Sequence, residues 1–194
     1  MENCGGQFFQ VSNLKEFERD RREFMADEIV EVYGAGQIAE KVQELAADIM
    51  RAYAEQDFAV LSVSEDGFMF LADLLRALES APRTAFLRHD HNSLGGVQDI
   101  SFSTQMDITG RRVLLVESVL DTGVPQEYLM KQLEGRGASE VKLCVLVDKP
   151  DRRRVGLQAD WRVFETRESY VFGYGLGYGE RWRELPYIAT FAAK

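Results

Sequence analysis

The segment from Arg111 to Gly123, RRVLLVESVLDTG, constrains the fold more than any other part of the chain. Its apolar run, Val113 to Val116, has no polar alternation, and this predicts a β-strand covered on both faces, as in a parallel sheet. Acidic residues and then Thr122-Gly123 separate the run from sequence with helical character. We therefore predict a strand, an anion-binding loop and the start of a helix.

The predicted loop lies where ligands of parallel α/β sheets bind, beyond the carboxyl end of a strand. Backbone N–H groups of such a turn can face an anion, and Gly123 allows the backbone to approach it closely. Thr122 adds a hydroxyl, while the carboxylates of Glu117 and Asp121 suit a metal-bound sugar or a proton transfer. Taken alone, the segment is equally compatible with an ordinary strand-to-helix turn.

The remaining elements follow from hydrophobic spacing. Apolar residues at helical intervals predict helices over 37–53, 67–78 and 126–134, and short apolar runs predict strands over 58–63, 84–87 and 141–147. The polar stretch 88–109 has no strong periodicity, which predicts a mobile lid or a hairpin. Residues 1–12 are expected to form a loose tail of a single domain, 1–194.

Composition narrows the class of protein. The 194 residues are 45% hydrophobic, as in a globular protein with a good-sized core, and the net charge of −9 argues against nucleic-acid binding and against an anionic membrane surface. Cys4 and Cys144 are far apart in the sequence, so we expect no disulfide framework and no zinc site. The chain has neither an apolar run of transmembrane length nor a signal-peptide pattern, so we expect a cytoplasmic protein.

Three later segments complete the pattern: VLVDKPDRRR from Val145 to Arg154, YVFGYGLGY from Tyr170 to Tyr178, and RWRELPYI from Arg181 to Ile188. In order and spacing, the four segments resemble the hypoxanthine-guanine phosphoribosyltransferase family. The resemblance extends from about Ile29 to Phe191. It implies the type I phosphoribosyltransferase fold, an α/β fold with a central, mostly parallel sheet flanked by helices and a small hood subdomain.

The resemblance also implies a function in purine salvage. Enzymes of this family transfer the phosphoribosyl group from phosphoribosyl pyrophosphate to a 6-oxopurine, releasing pyrophosphate and forming a nucleoside 5′-monophosphate. The transition state resembles an oxocarbenium ion, so the enzyme positions the reactants, moves one proton and stabilises the departing pyrophosphate with Mg²⁺. The implied partners are phosphoribosyl pyrophosphate, a purine base or a purine 5′-monophosphate, and a second copy of the chain in a homodimer or homotetramer.

By the same resemblance, the loop after the first segment binds the sugar phosphate. Asp121 matches the general acid or base that meets the purine N7 proton, although an N-cap of the next helix is the alternative. Thr122, Gly123 and the backbone of Val124 match the cradle of the 5′-phosphate. Glu117 matches an acid near the ribose hydroxyls and is a weak candidate for a metal ligand.

The later segments supply the base and pyrophosphate contacts. Lys149 matches the lysine that donates to the exocyclic oxygen of a 6-oxopurine, with a surface lysine before Pro150 as the alternative. Tyr170 replaces an aromatic residue that stacks on the base, and Val171 contributes its backbone to the purine edge. Arg183 matches an arginine that contacts pyrophosphate.

Several positions depart from the family pattern on the magnesium side. Ser118 replaces the second of two adjacent acids; it can hydrogen-bond a ribose hydroxyl but brings no charge for the metal. Pro125 stands near the position of a hydroxyl residue in the phosphate cradle, and it removes a backbone donor. Gly177 replaces an aspartate near the base and the metal. We therefore expect the monophosphate cradle to be better preserved than the metal site.

The early pyrophosphate loop is the most altered. The family has a Lys-Gly pair where this chain has Ser64-Glu65-Asp66-Gly67. A carboxylate about 4 Å from a unit charge of a pyrophosphate opposes binding by about 4 kcal/mol at an effective dielectric of about 20, unless it turns outward or binds a cation. His89-Asp90-His91-Asn92 replaces the Ser-Tyr pair of the lid, and the spacing of His89 and His91 does not favour a metal site.

Two functional classes follow. The first is an active purine phosphoribosyltransferase; the second is a catalytically degenerate relative that binds purine nucleotides as a sensor or interaction protein. The altered positions favour the second class, whereas Asp121 and Lys149 together favour the first, because both roles require a bound base. An RNA-binding regulator on the same fold is disfavoured by the acidic balance. Hypoxanthine, guanine and xanthine share the oxygen that Lys149 would contact.

Overall fold

The computed structural model describes residues 28–54, 56–63, 65–90, 99–102, 106–179 and 181–192. In chain order its helices and strands are β1 Ile29–Tyr33, α1 Ala35–Tyr53, β2 Phe58–Ser62, α2 Phe68–Ala77, β3 Arg83–Asp90, β4 Asp99–Phe102, β5 Arg112–Leu120, α3 Val124–Gly135, β6 Glu140–Asp148, β7 Trp161–Glu165 and β8 Ile188–Phe191. Single 3₁₀ turns lie at Glu65–Gly67 and Pro150–Arg152. Three parts of the sequence prediction lie outside the described residues: the tail 1–12, the histidine His91 and much of the stretch 88–109 that was predicted as a lid or a hairpin.

Six strands form one sheet in the order β4-β3-β2-β5-β6-β7, and β1 pairs with β8 in a separate two-stranded sheet. Neighbouring strands from β3 to β7 are parallel, and β4 runs antiparallel to β3 at the edge. The prediction of a mostly parallel sheet flanked by helices is confirmed. The chain passes from β2 to β3 on one side and then to β5 on the other, so the switch point for a ligand lies between the loops after β2 and β5.

The sheet is buried on both faces. Along β5, Leu114 and Val116 belong to a cluster with apolar residues of α1 and α2, whereas Val113 and Leu115 belong to a cluster with Leu129 of α3. The apolar run therefore has no polar alternation because neither face meets water. In the part of the chain that the structure describes, no helix is long and apolar enough to cross a bilayer.

The contacts of the chain divide it into two units. The larger, 31–190, contains the six-stranded sheet, and the smaller comprises 1–30 and 191–194. In the smaller unit the structure describes 28–30 and 191–192, where the N–H of Ala192 donates to the carbonyl of Glu28 at 2.8 Å.

The clearest difference from the sequence prediction concerns the end of β5. The apolar run stops at Val116, yet the strand continues to Leu120, because the ladder with β6 goes on past the acid and Glu117 pairs with Val145. Glu117 and Ser118 therefore lie inside a strand rather than after one. At the sheet edge, β3 extends to Asp90, opposite Asp99 of β4.

Candidate active site

The loop Asp121–Gly123 joins the carboxyl end of β5 to α3. Gly123 is the N-cap of α3 and has a φ of +79°, in the left-handed region. A Cβ at this position would lie 2.9 Å from Cδ of Arg153 and 3.0 Å from Cγ2 of Val155, so both conformation and space require glycine. Because Gly123 is the cap, the alternative interpretation of Asp121 as an N-cap is wrong.

The helix end has the geometry of an anion site. The first backbone bond of α3 runs from the N–H of Glu127 to the carbonyl of Gly123 at 2.9 Å. The N–H groups that precede this bond have no place in the helical ladder, and an anion at a helix N-terminus accepts from such groups. Val124, the first residue of α3, is half exposed, and Pro125 follows it within the first turn, where a missing N–H matters least.

Two arginines, Arg153 and Arg154, bond to the backbone of the loop Asp121–Gly123. The guanidinium of Arg153 pairs with the carboxylate of Asp148, a buried residue at the end of β6, and also donates to the backbone carbonyl of Asp121. The N–H of Arg154 donates to the carbonyl of Thr122 at 2.9 Å. The sequence shows the run Arg152–Arg154, but nothing in the pattern indicates that it supports this loop.

The carboxylate of Asp121 faces a cation. Nε of Arg152 lies 2.8 Å from Oδ1 of Asp121, an ion-pair distance, but the two groups are not aligned as a hydrogen bond, and Oδ1 is a buried oxygen with no hydrogen-bond donor among the described residues. A buried acceptor without a donor loses a favourable interaction. The side chain of Asp121 as a whole is 37% exposed, so its second oxygen, rather than the buried Oδ1, can accept a bond from an N–H of a ligand.

Lys149, which follows β6, is only 5% exposed, so the alternative of a surface lysine is wrong. Its ammonium donates to the carbonyl of Ser169 at 2.9 Å. Burial lowers the pKa of Lys149, and the nearby carboxylate of Asp121 opposes this lowering. The interaction with Ser169 connects Lys149 to the segment that carries Tyr170. No local pattern predicts Ser169 as the partner of Lys149.

The aromatic segment begins with an exposed ring. Tyr170 is 62% exposed, its carbonyl accepts from the hydroxyl of Thr190 at 2.9 Å, and its ring meets the edge of Tyr178 at 5.8 Å between centroids. An exposed ring held by its neighbours offers a face on which a planar base can stack. Val171, the next residue, is partly buried against the core.

The two residues matched to the ribose are buried inside β5. Glu117 is 7% exposed and Ser118 is 6% exposed. Burial raises the pKa of Glu117 to about 7, although a hydrogen bond from Gln126 of α3 partly opposes this effect. Gln126, for which no sequence pattern predicts a role, thus bonds Glu117 from the side of the helix.

Arg183 lies with a different group of residues. Its guanidinium pairs with the carboxylate of Asp66 in the 3₁₀ turn after β2, and donates to the carbonyl of Gly175 at 2.8 Å. A Cβ on Gly177 would lie 2.7 Å from Cζ of Arg183. Of the two carboxylates in the early loop, Asp66 thus binds a cation of the protein itself, and Glu65 is exposed.

The described residues do not build a magnesium cage. No group of three or more His, Cys, Asp or Glu side chains within them is arranged to hold a metal ion. Glu117 is buried within β5, and Gly177 offers no carboxylate. A hard cation prefers ionised carboxylates, so this donor set fits Mg²⁺ poorly.

Comparison with known proteins agrees with this geometry. The family model for the phosphoribosyl transferase domain matches residues 29–181. The hypoxanthine-guanine phosphoribosyltransferase of Streptococcus pneumoniae is 33% identical over 158 residues, which cover 79% of this chain and 88% of the relative. The chain belongs to the hypoxanthine-guanine phosphoribosyltransferase family. Membership of this family makes the protein a transferase.

Solved structures extend the likeness to three dimensions. A crystal structure of a hypoxanthine-guanine phosphoribosyltransferase from Bacillus anthracis has a TM-score of 0.77 and 31% identity, covering 85% of this chain and 99% of that one. A variant of the hypoxanthine phosphoribosyltransferase of Trypanosoma cruzi, solved with its product IMP, has a TM-score of 0.76 and 30% identity, covering 86% and 92%. The type I phosphoribosyltransferase fold implied by the sequence is thus confirmed.

Proposed function

We propose that this protein transfers the phosphoribosyl group from phosphoribosyl pyrophosphate to hypoxanthine or guanine, forming a nucleoside 5′-monophosphate in purine salvage. One juxtaposition carries the proposal: the Asp121 carboxylate and the buried Lys149 ammonium lie close enough to influence each other, directly beside the loop of Gly123. The names of the S. pneumoniae and B. anthracis relatives support this substrate class.

The base is recognised by Lys149 and Tyr170. The ammonium of Lys149, held by the carbonyl of Ser169, donates to the exocyclic oxygen at purine position 6. An amino group at that position would place donor against donor, and a buried group built to bond a carbonyl discriminates strongly against such an analogue. The exposed ring of Tyr170 covers one face of the base, while the backbone of Val171 meets its edge.

The sugar phosphate and the proton are handled by the neighbouring loop. Thr122, Gly123 and the backbone of Val124 cradle the 5′-phosphate at the N-terminus of α3. As the bond between the purine nitrogen and C1′ forms, the bond between C1′ and the pyrophosphate oxygen breaks, and the base loses a proton. Asp121 accepts that proton from N7 through its exposed oxygen, because the side chain is 37% exposed while Oδ1 lies against Arg152.

Magnesium is proposed only from the family. Proteins usually hold Mg²⁺ through one or two carboxylates together with substrate phosphates. Since the carboxylate of Glu117 is buried, any Mg²⁺ would come mainly with the substrate, and the steps above do not depend on it. This proposal also includes a homodimer or homotetramer and a cytoplasmic location. It further includes a single domain of residues 1–194 with a loose tail at 1–12 and a mobile lid or a hairpin at 88–109.

One observation favours the second candidate, a nucleotide sensor. The arginine matched to pyrophosphate, Arg183, is already paired with Asp66. A site in this state holds a monophosphate more readily than phosphoribosyl pyrophosphate. This preference suits a nucleotide sensor, whereas an efficient transferase must bind phosphoribosyl pyrophosphate well.

A direct assay separates the two candidates. The protein is incubated with phosphoribosyl pyrophosphate, Mg²⁺ and hypoxanthine, guanine or adenine, and the monophosphate formed is measured. We expect turnover of the two 6-oxopurines and a kcat/KM for adenine that is about 10⁴-fold lower. We expect Asp121→Asn to lower kcat at least about 100-fold. Absence of turnover in a folded protein that binds IMP would overturn the enzyme and favour the sensor.

A further inference from the structure

Contacts within the chain hold the guanidinium of Arg183 in place. Its guanidinium is bonded by the Asp66 carboxylate and by the carbonyl of Gly175, at 2.8 Å from the latter. The side chains of Arg183 and Asp66 are 31% and 43% exposed, so the pair is neither fully buried nor fully solvated. The two residues lie 117 positions apart in the sequence and belong to the two loops matched to pyrophosphate.

The loops that carry the pair are fixed to each other at further points. The N–H of Gly175 donates to the carbonyl of Arg183 at 2.9 Å, so the two residues are joined in both directions. A Cβ on Gly175 would lie 2.9 Å from the carbonyl oxygen of Asp66, so the backbones are in close contact. The hydroxyl of Tyr174 donates to Asp73 of α2 at 2.7 Å. The pair is therefore part of a defined arrangement.

Gly177 makes room for this arrangement. A Cβ on Gly177 would lie 2.7 Å from Cζ and Nη2 of Arg183, and its nearest neighbours are all atoms of that guanidinium. The backbone of Gly177 is not in the left-handed region, so an alanine is compatible with its conformation. A side chain at this position would displace the end of a flexible arginine and leave the fold in place.

We propose that Asp66 is a specificity residue that selects a single phosphate over pyrophosphate, by holding Arg183 over Gly177. A pyrophosphate that binds Arg183 must first displace the Asp66 carboxylate. It must then lie beside that carboxylate, which carries a charge of the same sign. A monophosphate in the loop of Gly123 uses different backbone groups and does not meet this competition. The inference rests on the proposed function, because it assumes that purine monophosphates bind at that loop.

The test compares two dissociation constants, for inorganic pyrophosphate and for IMP, measured by titration calorimetry at fixed ionic strength. Asp66→Asn keeps the shape of the side chain but removes its charge. Because a half-exposed ion pair of this kind is then broken, we expect the ratio of pyrophosphate Kd to IMP Kd to fall by about two- to fivefold. Gly177→Ala should shift the ratio in the same direction by expelling the guanidinium. Asp48→Asn, which breaks the exposed pair with Arg51 on α1, is the matched control and should leave the ratio unchanged.

The outcomes are distinct. A fall in the ratio for both Asp66→Asn and Gly177→Ala, with a smaller fall for the neighbouring Glu65→Gln, supports the proposal. An equal effect of Glu65→Gln would overturn it, because general charge rather than the pairing would then be responsible. An unchanged ratio in both variants that still bind IMP would also overturn it. If the wild-type protein binds no IMP, the proposed function itself has failed.

Discussion

Replacing Glu117 with glutamine should stabilise the folded protein at neutral and higher pH. The reason is the burial of this carboxyl group within β5, where it is 7% exposed. Its hydrogen bond with Gln126 only partly offsets the loss of water. Glutamine has nearly the same shape and can keep a bond to Gln126, but it never ionises. The change therefore removes the charge and leaves the packing in place.

The magnitude follows from the pKa of Glu117, which burial raises from 4.5 to about 7. Well below pH 4.5 the group is protonated in the folded and unfolded states alike, so it has no effect on stability. As the pH rises towards 7, the unfolded chain ionises while the folded protein keeps its proton, and stability is lost; above pH 7 the loss is constant. At about 1.4 kcal/mol per pKa unit, the loss is about 1 kcal/mol at pH 5 and about 3 kcal/mol at pH 8.

Urea denaturation of the wild type and of Glu117→Gln at both pH values measures this difference. Burying the amide of glutamine changes the free energy of unfolding by the same amount at both pH values. We therefore compare the difference in this free energy between variant and wild type at pH 8 with that at pH 5, and expect it to be about 2.5 kcal/mol larger at pH 8. Glu40→Gln on the exposed side of α1 removes the same charge from the surface and is the control. The same dependence on pH in both variants would show that burial of Glu117 does not disfavour its charged form.

Three further substitutions test the site. Lys149→Met should lower the preference for hypoxanthine over adenine, measured as a ratio of kcat/KM values, at least about 100-fold, and a retained preference would contradict the role of the ammonium. Arg153→Ala leaves the buried Asp148 without its main partner and should lower the unfolding free energy in urea by about 3 kcal/mol; a loss no larger than that of the exposed Arg76→Ala would exclude a buried pair of this strength. Gly123→Ala should weaken IMP binding in calorimetry by at least about tenfold, since a side chain there is strained and meets the Arg153 stem; unchanged binding would argue against a phosphate site at this loop.

Local pattern was sufficient for most of the sheet and for the anion loop. An apolar run without alternation identifies a strand buried on both faces, and a Thr-Gly turn before helical sequence identifies the loop. The hydrophobic pattern placed the end of β5 too early, at Glu117, because an acidic residue after an apolar run usually marks the end of a buried strand. For the stretch 88–109 it left a mobile lid or a hairpin open and gave no strand bounds, because pairing with β3 rather than hydrophobic spacing defines β4 at Asp99–Phe102.

Contacts between segments that are distant in the chain could not be predicted from the sequence. The acids of the early loop were expected to repel pyrophosphate unless they bound a cation, and the structure shows Asp66 bound to Arg183. Nothing local to either residue indicates the partner, because the fold alone brings the two loops together. The same holds for the bond between Lys149 and the carbonyl of Ser169, although the motif did identify Lys149 as the residue of interest.

The central position of β2 has a consequence for how the chain is made. All five residues of β2 are buried, and on one edge it pairs with β3, which follows it closely. On the other edge Ser62 pairs with Val116 of β5, a residue synthesised more than 50 positions later. At about 5 to 20 residues per second, a ribosome takes roughly 3 to 10 s to cover that distance. During this interval the nascent chain carries an open apolar strand edge, so we expect its soluble yield to depend on chaperones and on the rate of translation.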